Sequence, residues 1–212
     1  MKFVFSLIAL VAFSLSAPAT SHFVDGKLVP ITEADQVIAI TTHDSGLASN
    51  GQPKLIVAAW PDGNIIWSEN KIKGGAPYSS AKIDKTMFTE LVDRLNRDGY
   101  FSTESLSHAQ LGPDSEFTSV YIKNDKQKLK MQSWHELFES SGKAVCTSAG
   151  VEKLEGTRLD MLAADEIEYV HYRLAWAELR LAVAQLVPDS SKPAKGDIHM
   201  EHGIMSWNPN GS

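Results

Sequence analysis

The sequence has only one cysteine, Cys146, among its 212 residues. No internal disulfide can form, so a fold of this size must rest on its hydrophobic core. A lone cysteine is either a reactive or bridging thiol or a small buried apolar residue. The residues on either side, Ala-Val before and Thr-Ser after, include no group that would activate the thiol. The sequence therefore favours the buried, unreactive interpretation.

Clusters of lysine and arginine are also missing, and the formal net charge is −6. A mildly acidic chain without a basic patch lacks the electrostatic footprint of a protein that binds nucleic acid or an anionic membrane surface. The sequence contains no G-x-S-x-G elbow, H-E-x-x-H pair or P-loop. Any catalytic function would therefore have to rest on residues outside these motifs.

An uncharged, mostly apolar run is found at the N-terminus. It follows the positive charge of Lys2, extends over about 13 residues, and leads into the small residues Ser16-Ala17-Pro18-Ala19. This order predicts a secretory signal peptide over residues 1–19, with cleavage after Ala19, because cleavage after Ala17 would place Pro18 beside the scissile bond. The alternative, a membrane anchor, is too short for a hydrocarbon core of about 30 Å. We therefore expect an extracytoplasmic protein, either periplasmic or secreted.

The pattern of the remaining chain predicts an α+β fold, with an antiparallel sheet built from two hairpins plus one strand and covered by two main helices. Residues 20–190 are expected to form a single domain, and residues 191–212, rich in Pro, Lys, Gly, Asn and Ser, a flexible C-terminal tail. The predicted elements are a strand at 37–42, a hairpin of 54–60 and 65–68, a long connection at 69–82, a helix capped by Asp84 and stopped by Gly99, a hairpin of 118–123 and 128–134, a short helix at 135–139, and a long helix at 159–187.

Part of this chain resembles a widespread exported bacterial domain family of unknown function. The resemblance covers residues 54–139 and rests on the W-P-D-G-x-I-I-W hairpin from Trp60 to Trp67, the helix that ends in Gly99-Tyr100-Phe101, and the Asp114 loop before the second hairpin. The segment 146–158, followed by the helical residues 176–180, is similar to exported bacterial proteins as well. The resemblance implies an exported protein of this fold and transfers no catalytic residue.

The candidate catalytic residues are carboxylates and one histidine near turns and strand ends. Asp62 lies in the Pro-Asp-Gly turn, Asp114 follows Gly-Pro, and His135 and Glu136 come directly after the second hairpin. Paired carboxylates could support glycoside hydrolysis, and a His-Glu pair could support acid–base chemistry. Turn formation and helix capping explain the same residues without catalysis. A carboxylate-based hydrolase is therefore an alternative hypothesis.

The C-terminal segment contains the residue types that bind copper or zinc. His199, Glu201 and His202 lie within four positions, and the two histidines could converge on one metal ion if the segment formed a turn. No fixed fourth ligand is evident, and a polar tail carries such residues by chance. Metal binding is a second alternative, and no cofactor is otherwise predicted.

The leading hypothesis is a non-enzymatic module that binds a partner or contributes to an assembly in the cell envelope. The export signal and the small antiparallel fold favour it. The partner is expected to be a protein or a saccharide, because the sequence has five tryptophans that could form a binding face. A role for these tryptophans in the core and its rim is the other interpretation.

Overall fold

The computed structural model describes residues 22–24, 27–44, 51–102, 116–134, 144–147, 150–153, 167–194, 198–201 and 204–210. Two helices are described, α1 (Lys85–Arg97) and α2 (Ile167–Ala184), and a 3₁₀ helix covers Tyr100–Ser102. The strands, in chain order, are β1 (Phe23–Val24), β2 (Lys27–Leu28), β3 (Val37–Asp44), β4 (Lys54–Ala59), β5 (Asn64–Ser68), β6 (Tyr78–Lys82), β7 (Glu116–Lys123), β8 (Lys128–Trp134), β9 (Ala144–Thr147), β10 (Gly150–Lys153), β11 (Lys192–Pro193), β12 (Ile198–Glu201) and β13 (Ile204–Trp207).

The centre of the fold is a seven-stranded sheet in the order β11-β6-β5-β4-β3-β7-β8, with every neighbouring pair antiparallel. The predicted α+β class is confirmed, and strand β3 and the hairpins β4–β5 and β7–β8 occupy the positions where the sequence predicts a strand and two hairpins. The sheet is larger than two hairpins plus one strand, because β6 and β11 extend it on one side. Strand β6 has the sequence Tyr-Ser-Ser-Ala-Lys, which lacks the bulky apolar alternation that marks a strand.

Both helices pack on one side of this sheet, which we call the helix face. On α1, the Asp84 side chain accepts a hydrogen bond from the Thr86 backbone N–H at 2.9 Å, and Gly99 beyond its end has a φ of +83°. The predicted long helix is described from Ile167 to Ala184, and residues 159–166 lie outside the described residues. Side chains from both helices join alternate residues of the strands in the larger core: Ile38, Ile40, Ile65, Val120 and Met131 meet Phe88, Leu91, Leu95, Trp176, Leu179 and Val183.

The opposite side of the sheet, the outer face, carries a second buried core. The strands contribute Val37, Ala39, Leu55, Ala58 and Ile66 to it, and Trp60 follows β4. Two chain segments cover them: residues 29–34, which supply Ile31 and Ala34, and the hairpin β12–β13, which supplies Met205 and Trp207. A backbone hydrogen bond from the Ile31 N–H to the Met205 carbonyl, at 2.7 Å, joins the two segments. The fold therefore has three layers.

The segment after residue 191, expected to be a flexible tail, contains three strands in the structure. Trp207 is only 3% exposed because it fills the outer-face core. The free energy gained by burying the Trp207 side chain offsets the conformational entropy that this polar segment loses on becoming ordered. Over the part of the chain that is described, no helix is both long and apolar enough to cross a membrane.

Candidate functional site

The turn between β4 and β5 carries a polar cluster on the outer face. Within Trp60-Pro61-Asp62-Gly63, the Gly63 N–H donates to the Trp60 carbonyl at 3.0 Å, and Gly63 has a φ of +82°. The Asp62 carboxylate accepts the backbone N–H of Asn64 at 2.9 Å and its side-chain amide at 2.7 Å. Aspartate readily forms such bonds to a residue two positions later, so the turn sequence itself fixes the carboxylate.

Two cationic or ionisable side chains reach Asp62 from other segments. Nε2 of His22 lies 3.7 Å from a carboxylate oxygen of Asp62 and 3.2 Å from the side-chain nitrogen of Asn64. The Lys82 ammonium donates to the Asp62 backbone carbonyl at 3.2 Å and stands 4.0 Å from the carboxylate. The neutral His22 ring accepts from the Asn64 amide, and the protonated ring would instead direct its Nε2–H toward Asp62.

These neighbours control the ionisation of Asp62. Burial acts to raise the pKa of the carboxyl, but the nearby His22 side chain, the hydrogen bond from the Asn64 backbone and the charge of Lys82 together outweigh it. The net result is a pKa of about 2, below the ordinary value of 3.8. Asp62 is therefore ionised at every pH near neutrality and cannot donate a proton there. It suits an electrostatic or nucleophilic role and not that of a general acid.

The His22 ring packs against the indole rings of Trp60 and Trp207. The His22 ring lies 4.3 Å from that of Trp60 and 5.6 Å from that of Trp207, and the two indole rings are 5.6 Å apart. The Trp60 indole N–H is buried without a hydrogen-bond partner, which typically costs about 1–3 kcal/mol. The favourable packing of the three rings therefore has to offset the free-energy cost of the unpaired Trp60 N–H.

A groove opens beside the cluster, at the sheet edge formed by β6 and β11; we call it the edge groove. Its volume is about 470 Å³, within the range of sites that bind small ligands. Two lysines, three serine hydroxyls and the Asn64 amide supply most of its polar groups, and Trp207 supplies its aromatic wall. The residues that line it are Asn64, Ser80, Ala81, Lys82, Ser190, Ser191, Lys192, Pro193, Trp207 and Pro209.

The register of the strands places the two lysines on one side of the sheet. Lys192 pairs with Ser80, and Lys82 lies two residues further along the same face of β6. Such diagonal neighbours are about 7–8 Å apart, close enough for both ammonium groups to contact one anionic group. Asp62 engages Lys82 from one side, whereas Lys192 has no acidic partner among the residues that the structure describes.

Of the four predicted catalytic residues, Asp62 lies in the site, and Asp114, His135 and Glu136 lie outside the described residues. The hypothesis of a carboxylate pair therefore stays a prediction. Sequence reasoning missed His22, Asn64, Lys82 and Trp207 as neighbours of Asp62. For Asn64 a signal existed in the Pro-Asp-Gly-Asn turn, since an aspartate often bonds to the residue two positions on. The other three come from distant segments.

Two of the predicted metal ligands, His199 and Glu201, are exposed on β12, two residues apart and hence on the same side of that strand. The third, His202, lies outside the described residues, as does the side chain of Cys146 on β9. Within the described ranges, no group of three or more His, Cys, Asp or Glu side chains is placed to hold a metal ion. Copper or zinc binding by this segment stays a prediction that depends on His202.

Comparison of the chain with protein-family models, with curated proteins and with solved structures finds no match. The resemblance of residues 54–139 to an exported bacterial family therefore stays a prediction.

Proposed function

We propose that the protein is an exported, non-enzymatic module that binds an acidic group of a partner in the cell envelope through the edge groove. The observation that carries the proposal is the groove itself, in which Lys82 and Lys192 flank serine hydroxyls and the Asn64 amide. Export is supported by the signal-peptide pattern of residues 1–19.

The chemistry of the groove favours a carboxylate-bearing partner. A carboxylate accepts hydrogen bonds from ammonium and hydroxyl groups, and the groove presents both kinds of donor. Lys192 has no acidic partner in the described part of the chain, and Lys82 is held in place by the Asp62 carbonyl. The apolar wall of Trp207 and Pro209 excludes water on one side and strengthens those bonds.

The Asp62 cluster supports a binding role for the site more than a catalytic one. With a pKa of about 2, the carboxylate keeps a constant charge, and its partners are hydrogen-bonded to it instead of being directed into open space. A carboxylate held in this way orients Lys82 and Asn64 at the groove. We therefore assign it the role of a positioning residue.

Cross-linking from inside the groove tests the proposal. A photo-cross-linking amino acid is placed at position 192 in the full chain, expressed in the cells that export it, with position 90 on the exposed side of α1 as the matched control. We expect discrete products from position 192 and none from position 90. The absence of products from 192, or the same products from both positions, would contradict the proposal.

A charge reversal tests the acidic chemistry of the same contact. Lys82→Glu, in protein that also carries the cross-linker at position 192, should reduce the product at least tenfold, because a repulsive contact replaces an attractive one. Lys85→Glu, an exposed lysine on α1, is the control and should leave the yield unchanged. An equal loss in both variants would show that the net charge of the protein, and not the groove, governs the contact.

A further inference from the structure

A second concave site lies on the outer face, near the edge of the sheet formed by β7 and β8; we call it the sheet cleft. It has a volume of about 240 Å³ and is bounded by the hairpin residues Ile204 and Met205. The remaining residues that line it come from β3, β7, β8 and two adjoining segments: Thr32, Thr41, His43, Pro53, Phe117, Ser119, Tyr121, Lys130 and Gln132.

A row of polar side chains crosses the floor of the sheet cleft. Thr41, Ser119 and Gln132 are register partners on three neighbouring strands, so their side chains share the outer face. The Gln132 side-chain amide donates to the Ser119 hydroxyl at 3.0 Å. This bond fixes the amide and leaves the Gln132 carbonyl oxygen as an acceptor for a ligand.

Aromatic rings stand on both sides of that polar row. At one end the rings of His43 and Phe117 lie 5.0 Å apart, and at the other the Lys130 ammonium sits 5.5 Å from the centre of the Tyr121 ring. Phe117 and Tyr121 are four residues apart on β7, which corresponds to about 13 Å along the strand. The sheet cleft is therefore a short platform with a polar centre and an aromatic group at each end.

The charge of the sheet cleft is opposite to that of the whole protein. Among the lining residues that the structure describes there is no aspartate or glutamate, and Lys130 contributes a positive charge, although the protein carries a formal net charge of −6. A carboxylate in a ligand would meet an attractive ammonium there. Strands β3 and β7 have both edges paired, so an extended peptide could add a strand here only at the outer edge of β8, beside the cleft and not across it.

We propose that the sheet cleft binds an oligosaccharide that carries carboxylates. The apolar C–H faces of sugar rings would pack on Phe117 and Tyr121, and a carboxylate would pair with Lys130. Sugar hydroxyls would bond to the half-buried Gln132 side chain, which is hydrogen-bonded to the buried Ser119 hydroxyl. This site is separate from the edge groove, and neither proposal depends on the other.

Calorimetric titration of the purified protein with a tetramer of galacturonic acid tests this inference. A tetramer of galactose serves as the neutral counterpart, and tetraglutamate serves as an acidic peptide. We expect measurable binding of the acidic sugar and at least tenfold weaker binding of the other two. No binding of the acidic sugar, or equal binding of tetraglutamate, would overturn the proposal.

Variants within one strand show whether binding occurs in the sheet cleft. Lys130→Gln should weaken binding about fivefold, and Gln132→Ala by a similar factor. Lys128→Gln removes an exposed charge from the same side of β8, outside the cleft, and should change affinity less than twofold. Tyr121→Phe keeps the ring and should retain affinity, whereas Tyr121→Leu should lose about tenfold. Equal losses from Lys128→Gln and Lys130→Gln would overturn the assignment to the cleft.

Discussion

At position 63 the backbone has a φ of +82°, and a Cβ atom there would stand 2.5 Å from the Ile83 carbonyl oxygen. Both the conformation and the space therefore require glycine. The same residue holds the turn that carries Asp62, and its carbonyl accepts the Ile83 N–H at 2.9 Å. The geometry of the candidate site thus depends on a residue that has no side chain.

Replacing this glycine should destabilise the protein more than backbone strain alone would. We expect Gly63→Ala to lower the free energy of unfolding by about 2–3 kcal/mol, because a steric clash adds to the strained φ. Gly51→Ala is the matched control, since Gly51 has a φ of +65° but a Cβ atom there would have no neighbour within 4 Å. That change should cost about 1 kcal/mol. Equal losses in urea denaturation would contradict the steric contribution of Ile83.

The low pKa of Asp62 gives a defined dependence of stability on pH. A carboxyl whose pKa is about 2 when folded and 3.8 when unfolded stabilises the folded state fully above pH 4, and this contribution is lost as the pH falls through 2. Because Asp62 is 33% exposed, solvent screening reduces the contribution to about 1–2 kcal/mol. Asp62→Asn should lose this amount at pH 7, and most of the difference from the parent protein should disappear at pH 2, where the folded carboxyl is half protonated.

Denaturation curves at the two pH values check this prediction, with Asp93→Asn on the exposed side of α1 as the control. The control should change stability by less than about 0.5 kcal/mol at either pH. A loss for Asp62→Asn that persists undiminished at pH 2 would show that it arises from packing or turn geometry and not from the charge.

At the scale of elements, the C-terminal hairpin β12–β13 is part of the fold and completes the outer-face core. Trp207→Ala should lower the free energy of unfolding by about 3–5 kcal/mol, because the indole is 3% exposed and its removal leaves a cavity. Met200→Ala on the other strand of the hairpin, 41% exposed, should cost less than about 1 kcal/mol. Similar losses in the two variants would indicate that the hairpin does not pack as the structure shows.

Elements with a strong local pattern were predictable from the sequence. The β4–β5 hairpin follows from two apolar runs around Pro-Asp-Gly, and α1 follows from its Asp84 cap and apolar spacing. Strand β6 was not predictable, because Ser79 and Ala81 are small residues without a strong preference for strands. They are in a strand because β6 pairs with β5 and β11. The hairpin β12–β13 did leave a signal, since Ile198 to Trp207 contains two short alternating runs separated by a two-residue step that ends in Gly203.

At the scale of the whole molecule, the sheet is buried on both faces. Strands β4 and β5 are almost entirely buried along their length, and their near-continuous apolar sequences are typical of a sheet covered on two sides. The pattern thus indicated that both faces of the sheet are covered, but not which segments of the chain cover the outer face. His22 reaches Asn64 across 42 positions of the chain, and Trp207 reaches Trp60 from the other end. No local pattern encodes such contacts, so the candidate site could not be assembled from the sequence.

Nuclear magnetic resonance of the folded protein, with and without the acidic segment identified by cross-linking from position 192, tests the central claim most directly. The side-chain amide of Asn64 and the indole N–H of Trp207 report on the edge groove, and the backbone amides of α1 report on the opposite side of the sheet. We expect the resonances of Asn64, Trp207 and β11 to shift on binding while those of α1 stay in place. Shifts confined to α1, or no shifts at all, would contradict the assignment of the edge groove as the binding site.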